Sequence, residues 1–185
     1  MQDINARIAA RVRGLRAHAG LSLEALSGRC AVSRSMLSLI ERGETSPTAV
    51  VLEKIATSLG CTLASLFDDA NAPVNPVSHA ADRALWKDPQ SGYTRRNISP
   101  ANFPSPIRIV EVAFPAGARV SYETAARDAP VAQQIWVRDG SIEVTIGNIT
   151  HRLVRDDCLA MQLDAHITFR NRGRKTAHYI VVLCS

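Results

Sequence analysis

Apolar residues fall into two regimes along this chain, and the change comes near residue 70. Before it they recur every three to four positions, as on helices with one buried side. Beyond it they alternate, as on strands with one buried face. Five helices are predicted in the first part, over about 4–18, 23–30, 34–42, 49–59 and 63–67. In the second part Ile107 to Phe114, Ile135 to Val137, Ser141 to Ile146, Ile149 to Val154 and Tyr179 to Leu183 read as strands. Pro-Ala-Gly, Arg-Asp-Gly, Gly-Asn and Asn-Arg-Gly turns separate them. The stretch from Asp68 to Ser78, with its prolines and polar fillers, reads as a linker. Several short strands at close spacing point to a sandwich or jelly-roll barrel.

The densest pattern runs from Leu21 to Thr48. Ser22 is placed to cap a helix, with Glu24 in the first turn where a carboxylate favours the helix dipole. Leu23, Leu26 and Cys30 follow at helical spacing. After Cys30-Ala31-Val32 comes a second cap, Ser33, and a second helix with Met36, Leu37 and Ile40 on one side and Arg34, Ser35 and Ser38 on the other. Two short helices joined by a tight turn, the second offering small polar and guanidinium groups, are what reading a DNA major groove requires. Arg34 and Ser38 are expected at base edges, with Ser35 beside them. Ser22, Ser33 and Arg42 are expected at phosphates.

These residues carry a resemblance to the XRE family of lambda-repressor-like regulators. It rests on the pattern from Leu23 to Val32, on Ser33-Arg34-Ser35, on Ile40-Glu41-Arg42-Gly43, on Ser46-Pro47-Thr48, and on Lys54-Ile55-Ala56 ending at Leu59-Gly60, and it closes at Leu63 to Phe67. It covers roughly residues 8–68. The family usually has Ala at the position of Ser27 and Gly at that of Ala31, so Ala31 is expected in a left-handed backbone at a cost of about 1 kcal/mol or more. The β part resembles a cupin over roughly 77–185. Pro115-Ala116-Gly117 and Trp136-Val137-Arg138-Asp139-Gly140 are similar to the first cupin motif. Asp156-Asp157, Asp164 and Phe169-Arg170-Asn171 are similar to the second. Together these resemblances imply an α + β multidomain protein. Residues 1–70 would form a five-helix lambda-repressor-like DNA-binding domain and 71–78 a linker. Residues 79–185 would form a cupin, a double-stranded β-helix or jelly-roll barrel, that senses a ligand and dimerises.

Charge adds little. The net charge is +5, from 22 basic and 17 acidic residues, yet up to Ala72 there are 8 basic and 7 acidic ones. Placement matters more than total: Arg7, Arg11, Arg13 and Arg16 line the first helix and Arg29, Arg34 and Arg42 the motif, with a solvated helix face as the plain alternative for the first set. No apolar run approaches the ~20 residues of a membrane span, and Met1-Gln2-Asp3 does not open a secretion signal. Cys30, Cys61, Cys158 and Cys184 include no CxxC pair, and the first two fit small buried apolar roles. A reducing, cytoplasmic setting is expected.

The cupin resemblance also implies where a metal would sit, and the donors there are wrong. Alignment on Gly140 puts the family's Glu at Gln133. Its HxH pair falls near Arg127 and Ala129 or Ala126 and Asp128, and its second-motif His on Ile167. His166 is one residue away, which on a strand is the opposite face. A neutral amide and an alkyl group do not build a metal site, so no cofactor is expected; His151, His166 and His178 read as surface or satisfied strand histidines. Neither GxSxG nor a Gly-rich phosphate loop is present, and no enzymatic activity is expected. The cupin resemblance instead implies a ligand pocket near Tyr122, Arg127, Gln133, Trp136 and Phe169.

The expected function is that of a homodimeric transcription regulator on a palindromic double-stranded operator. Its body would bind a small polar metabolite, a carboxylate slightly better than an amine, and change operator affinity. The alternative is a cupin-type enzyme with an appended DNA-binding head. An antitoxin or adaptor, whose tail grips a protein, ranks last, because the tail reads as a full β domain.

Overall fold

The computed structural model describes residues 4–69, 72–123 and 130–185. It divides into two compact units, Met1–Val77 with Pro100–Phe103, and Ser78–Ser99 with Pro104–Ser185.

The first unit contains α1 (Ile4–His18), α2 (Leu23–Cys30), α3 (Arg34–Arg42) and α4 (Ala49–Ser58). Ile8, Val12, Leu26, Leu37, Ile40, Leu52, Ile55 and Leu66 form its buried centre. Each of the last three helices starts on a side-chain cap: Ser22, Ser33 and Thr48 accept from Ala25 N, Met36 N and Val51 N. The fifth expected helix is instead a 3-10 helix, Leu63–Phe67. It is a single short turn: Ser65 N reaches Thr62 O at 3.0 Å, and Asp68 N closes on Ser65 O. A stretch that short cannot complete a ladder of i to i−4 bonds. A second departure concerns Met36, which is 37% exposed, while Leu37, Ile40 and Glu41 face inward.

Glu41 is buried because α1 meets it. Arg16 donates from Nε and Nη2 to the two Glu41 oxygens at 2.6 and 2.8 Å, and from Nη1 to Leu21 O at 2.8 Å. Arg13 donates to Glu41 O. The hydrogen bond and charge of Glu41 push the Arg16 guanidinium pKa up against the opposing effect of burial. Arg16, read from sequence as a face-lining cation, thus ties α3 to α1. Arg11 likewise bonds inward, to Ser65 O at 3.2 Å.

The second unit is all antiparallel. Its six-stranded sheet runs β1 (Trp86–Lys87), β2 (Thr94–Asn97), β3 (Ile107–Phe114), β10 (Ala177–Cys184), β5 (Ala132–Asp139) and β8 (Cys158–Gln162). The four-stranded sheet runs β4 (Arg119–Tyr122), β9 (Ile167–Arg170), β6 (Ser141–Ile146) and β7 (Ile149–Val154). The sheets meet face to face through rings: Tyr122 and Phe169 from one lie edge-on at 5.9 Å, and Phe169 stacks on Tyr179 of the other at 6.4 Å. Phe114 and Tyr93 continue the row. Gly140 turns β5 into β6 at φ 77, and a Cβ there would lie 3.0 Å from Ala177 Cα and Thr176 O. Only glycine fits that turn without moving backbone.

Candidate functional site

In the helical unit, α2 ends on Ala31 at φ 50 and ψ 38, the left-handed backbone expected there. The chain then turns through Val32 to Ser33, the α3 cap. Ser22 Oγ accepts from Ala25 N at 3.0 Å and Ser33 Oγ from Met36 N at 3.2 Å. Each cap uses an oxygen lone pair and leaves the hydroxyl proton able to reach an anion. Arg34, Ser35, Met36 and Arg42 are exposed on α3, and Ser38 is partly so. With 100° per residue, Ser35, Leu39 and Arg42 lie opposite the inward Leu37–Ile40–Glu41 side, with Ser38 and Arg34 flanking them on one edge.

The two arginines differ in what they already hold. Arg34 faces Glu24 at 3.9 Å with both side chains exposed, a contact worth little in water. Arg42 grips both Glu44 oxygens at 2.7 Å and also donates to Ser38 Oγ. Its hydrogen bonds lower the Glu44 carboxyl pKa and raise its own. Arg42 therefore meets a phosphate only by sharing or exchanging Glu44, whereas Arg34 is nearly free to move.

In the β unit the expected pocket residues separate. Tyr122 and Phe169 are in ring contact. Gln133 is buried and inward on β5, but it pairs with Leu183, four residues along β10 from Tyr179. At 3.3 Å per residue that is about 13 Å. Trp136 does not join them. It is three positions from Gln133 on one strand, hence on the other face, 41% exposed and covered by Arg138 at 4.0 Å. Arg127 lies outside the described residues.

The structure adds two neighbours that the sequence pattern concealed. Tyr93 Oη lies 3.1 Å from Tyr122 Oη. Arg95 on β2 is 8% exposed and aligns with Val112 on β3, which aligns with Tyr179 on β10 and Val137 on β5. Directly opposed residues share a face, so Arg95 joins the inward row. Burial pushes the phenols of Tyr93, Tyr122 and Tyr179 up, the last two well above the ordinary value of 10.0, against an opposing pull from the Arg95 charge. All three are neutral hydroxyls near neutral pH. The strand Thr94-Arg95-Arg96-Asn97 shows no apolar alternation, so only its register against β3 reveals that Arg95 points inward.

Metal donors do not gather. Ile167 is buried where the second-motif ligand would stand, and His166 is exposed, bonded to Thr168 Oγ1 at 3.2 Å. His178 is outward on β10, and His151 lies on the other sheet. Among the described residues no three His, Cys, Asp or Glu side chains form a metal-sized group. The residues present do not fit the metal that cupins hold.

Residues 7–66 match a helix-turn-helix domain model. Over 185 residues the chain is 25% identical to the HTH-type transcriptional regulator SutR of Escherichia coli (strain K12), covering 97% of this chain and 95% of that one. Over 70 residues it is 37% identical to the control protein C.MunI of Mycoplasma sp, covering 37% of this chain and 95% of the relative. In fold it is similar to an HTH_3 family transcriptional regulator from Vibrio cholerae, with a TM-score of 0.79 at 24% identity, covering 98% and 97% of the two chains.

Proposed function

Because the chain belongs to the XRE-like helix-turn-helix transcriptional regulators, with a cupin-like β domain behind the head, we propose that it binds a palindromic operator as a homodimer under the control of a small polar metabolite. The observation that carries the DNA half is the exposed face of α3, which offers Arg34, Ser35 and Ser38 over a rigid inner side. Arg34 and Ser38 read base edges; Ser22, Ser33 and Arg42 hold phosphates. Two such helices must be spaced about 34 Å apart to enter successive major-groove faces, which calls for a symmetric pair. The outer face of the six-stranded sheet supports the pairing. Trp136, Ile180, Ile109 and Val182 are on it, with Ile107 47% exposed at its edge. A second copy of this chain is the occupant that the operator symmetry demands.

The metabolite binds between the sheets, near Tyr122 and Phe169, and the Pro-containing segment from Asp68 to Ser78 passes the change to the head. A ligand shifts the DNA-competent population only by its differential affinity, typically about 1–3 kcal/mol of coupling. The protein acts as a cytoplasmic regulator without catalysis. The competing reading is a cupin enzyme with a DNA-binding head, and elemental analysis separates them: less than a tenth of an equivalent of zinc, iron, nickel or manganese is expected, where "a tenth" is about the margin that excludes a stoichiometric site. One equivalent per chain, lost on replacing His166 or His178, overturns this reading.

Arg34→Ala tests the DNA face. It should weaken a specific operator by about 1–3 kcal/mol and relax sequence preference, whereas Arg42→Ala should weaken all sequences alike and flatten the salt dependence. A gel-shift titration in which Arg34→Ala leaves operator affinity unchanged refutes the assignment.

A further inference from the structure

We propose that the interior of the β domain binds a small organic anion, with Arg95 holding its carboxylate or sulfonate head and the hydroxyls of Tyr93 and Tyr122 adding donors beside it. The proposal rests on the effector-binding reading above and gives that site its chemistry. Arg95 is nine-tenths buried and lies in the inward row with Tyr179. Its charge acts on all three phenols, and it bonds to the Tyr93 side chain. A guanidinium presents five coplanar N–H donors, more than one phenol takes up, and their fork matches two oxygens of an oxyanion.

The phenols share that preference. Each is neutral, so each has a proton to donate, and Tyr93 and Tyr122 already stand 3.1 Å apart as one donor pair. Tyr122 is partly exposed, giving the cluster an edge toward solvent. The stack of Phe169, Tyr179 and Phe114 beside it is an apolar wall for the rest of the ligand. An amine in the same place would meet the Arg95 charge in a low-dielectric interior, where like charges repel strongly. Overall charge runs the same way: residues up to Ala72 hold 8 basic and 7 acidic groups of the 22 and 17 in the chain, so the positive excess sits in the β domain.

The test is calorimetric titration of the full chain with four probes of one size: butyrate, propane-1-sulfonate, butyramide and n-butylamine. Butyrate or propane-1-sulfonate should bind at least about tenfold more tightly than the amide or the amine, the difference expected of a charge-assisted pair. Arg95→Gln should abolish that preference, Arg95→Lys should keep part of it, and Tyr122→Phe should weaken the anion several-fold. Circular dichroism establishes that each variant folds; should Arg95→Gln not fold, the wild-type series and Arg95→Lys decide. Anions that bind no better than butyramide, or that bind folded Arg95→Gln unchanged, overturn the proposal. Operator titrations with each probe separate it from the sensor reading. Anion binding with unaltered operator affinity leaves the Arg95 site standing and ends that reading. Operator affinity that answers to butylamine but not to the anions does the reverse.

Discussion

Each unit of this protein buries an arginine, and the two do different work. Arg16 in the helical head is 18% exposed and spends its fork on Glu41, itself 7% exposed, and on Leu21 O. The pair fixes α3 against α1, and the charge is cancelled inside the architecture. Arg95 in the β domain is set among neutral phenols that donate as readily as they accept. A buried charge matched to a carboxylate by position is structural; one surrounded by donors is suited to a ligand. The head is therefore organised to present a rigid outer surface, and the β domain to present an inner one.

The largest break in that contrast comes at high pH. The three tyrosines of the chain, Tyr93, Tyr122 and Tyr179, all belong to the β interior. Burial raises each folded pKa above the ordinary 10.0. The sign follows: protonated phenols contribute stability that is fully present below about pH 10 and lost as pH rises through their folded values. Tyrosinate absorbance should stay flat through pH 10 and then rise together with loss of the β circular dichroism signal, Tyr122 leading because it is the most open. A simple titration centred on pH 10 with the sheet signal intact contradicts the buried cluster.

Next in size is the head's own pair. Glu41→Ala leaves Arg16 buried without its carboxylate, and should cost about 3–5 kcal/mol. Operator affinity should fall with it, because α3 loses its tie to α1. The double variant Arg16→Met/Glu41→Leu sharpens the comparison by replacing charge with packing, and should recover most of the loss. Urea denaturation reads both. If Glu41→Ala costs less than 1 kcal/mol, where about 1 is the ceiling for an exposed pair, the buried bridge is not what holds the recognition helix.

These two arginines also mark how far the sequence could be read. Helix signals are local: Ser22, Ser33 and Thr48 cap within three residues, and the spacing of Leu23, Leu26 and Cys30 needs no partner to be recognised. The strands Ile107–Phe114, Ser141–Ile146 and Ile149–Val154 alternate cleanly and coincide with β3, β6 and β7. Thr94–Asn97 is wholly polar and Ile167–Arg170 buries three residues in succession, so neither carries a period of two. Both become strands through their neighbours, which are distant in sequence. Arg16 was visible as a charge on a helix, but its partner is 25 residues away on another. Trp136 and Gln133 illustrate the opposite case. Their spacing on one strand already separates the two faces, and the cupin resemblance masked it.

The smallest effect lies at the turn between α2 and α3, where the family resemblance and the geometry coincide. Both helices end in left-handed backbone: α2 on Ala31 at φ 50, α3 on Gly43 at φ 71. Gly43 adopts it freely, and Gly43 N and Glu44 N close the helix onto Ile40 O and Leu39 O at 3.0 Å. Ala31 adopts it against its Cβ, at about 1–2 kcal/mol. Ala31→Gly removes that strain but frees the unfolded chain, which returns part of the gain. The net should be a stabilisation of about 0.5–1 kcal/mol, with operator affinity unchanged because the backbone path is the same. Ala31→Val should destabilise, since a β-branched side chain tolerates positive φ least. Ala31 is exposed, so no packing change confuses the reading. Thermal melts in which Ala31→Gly is neutral or destabilising would show that the turn of the DNA-binding motif takes another backbone path.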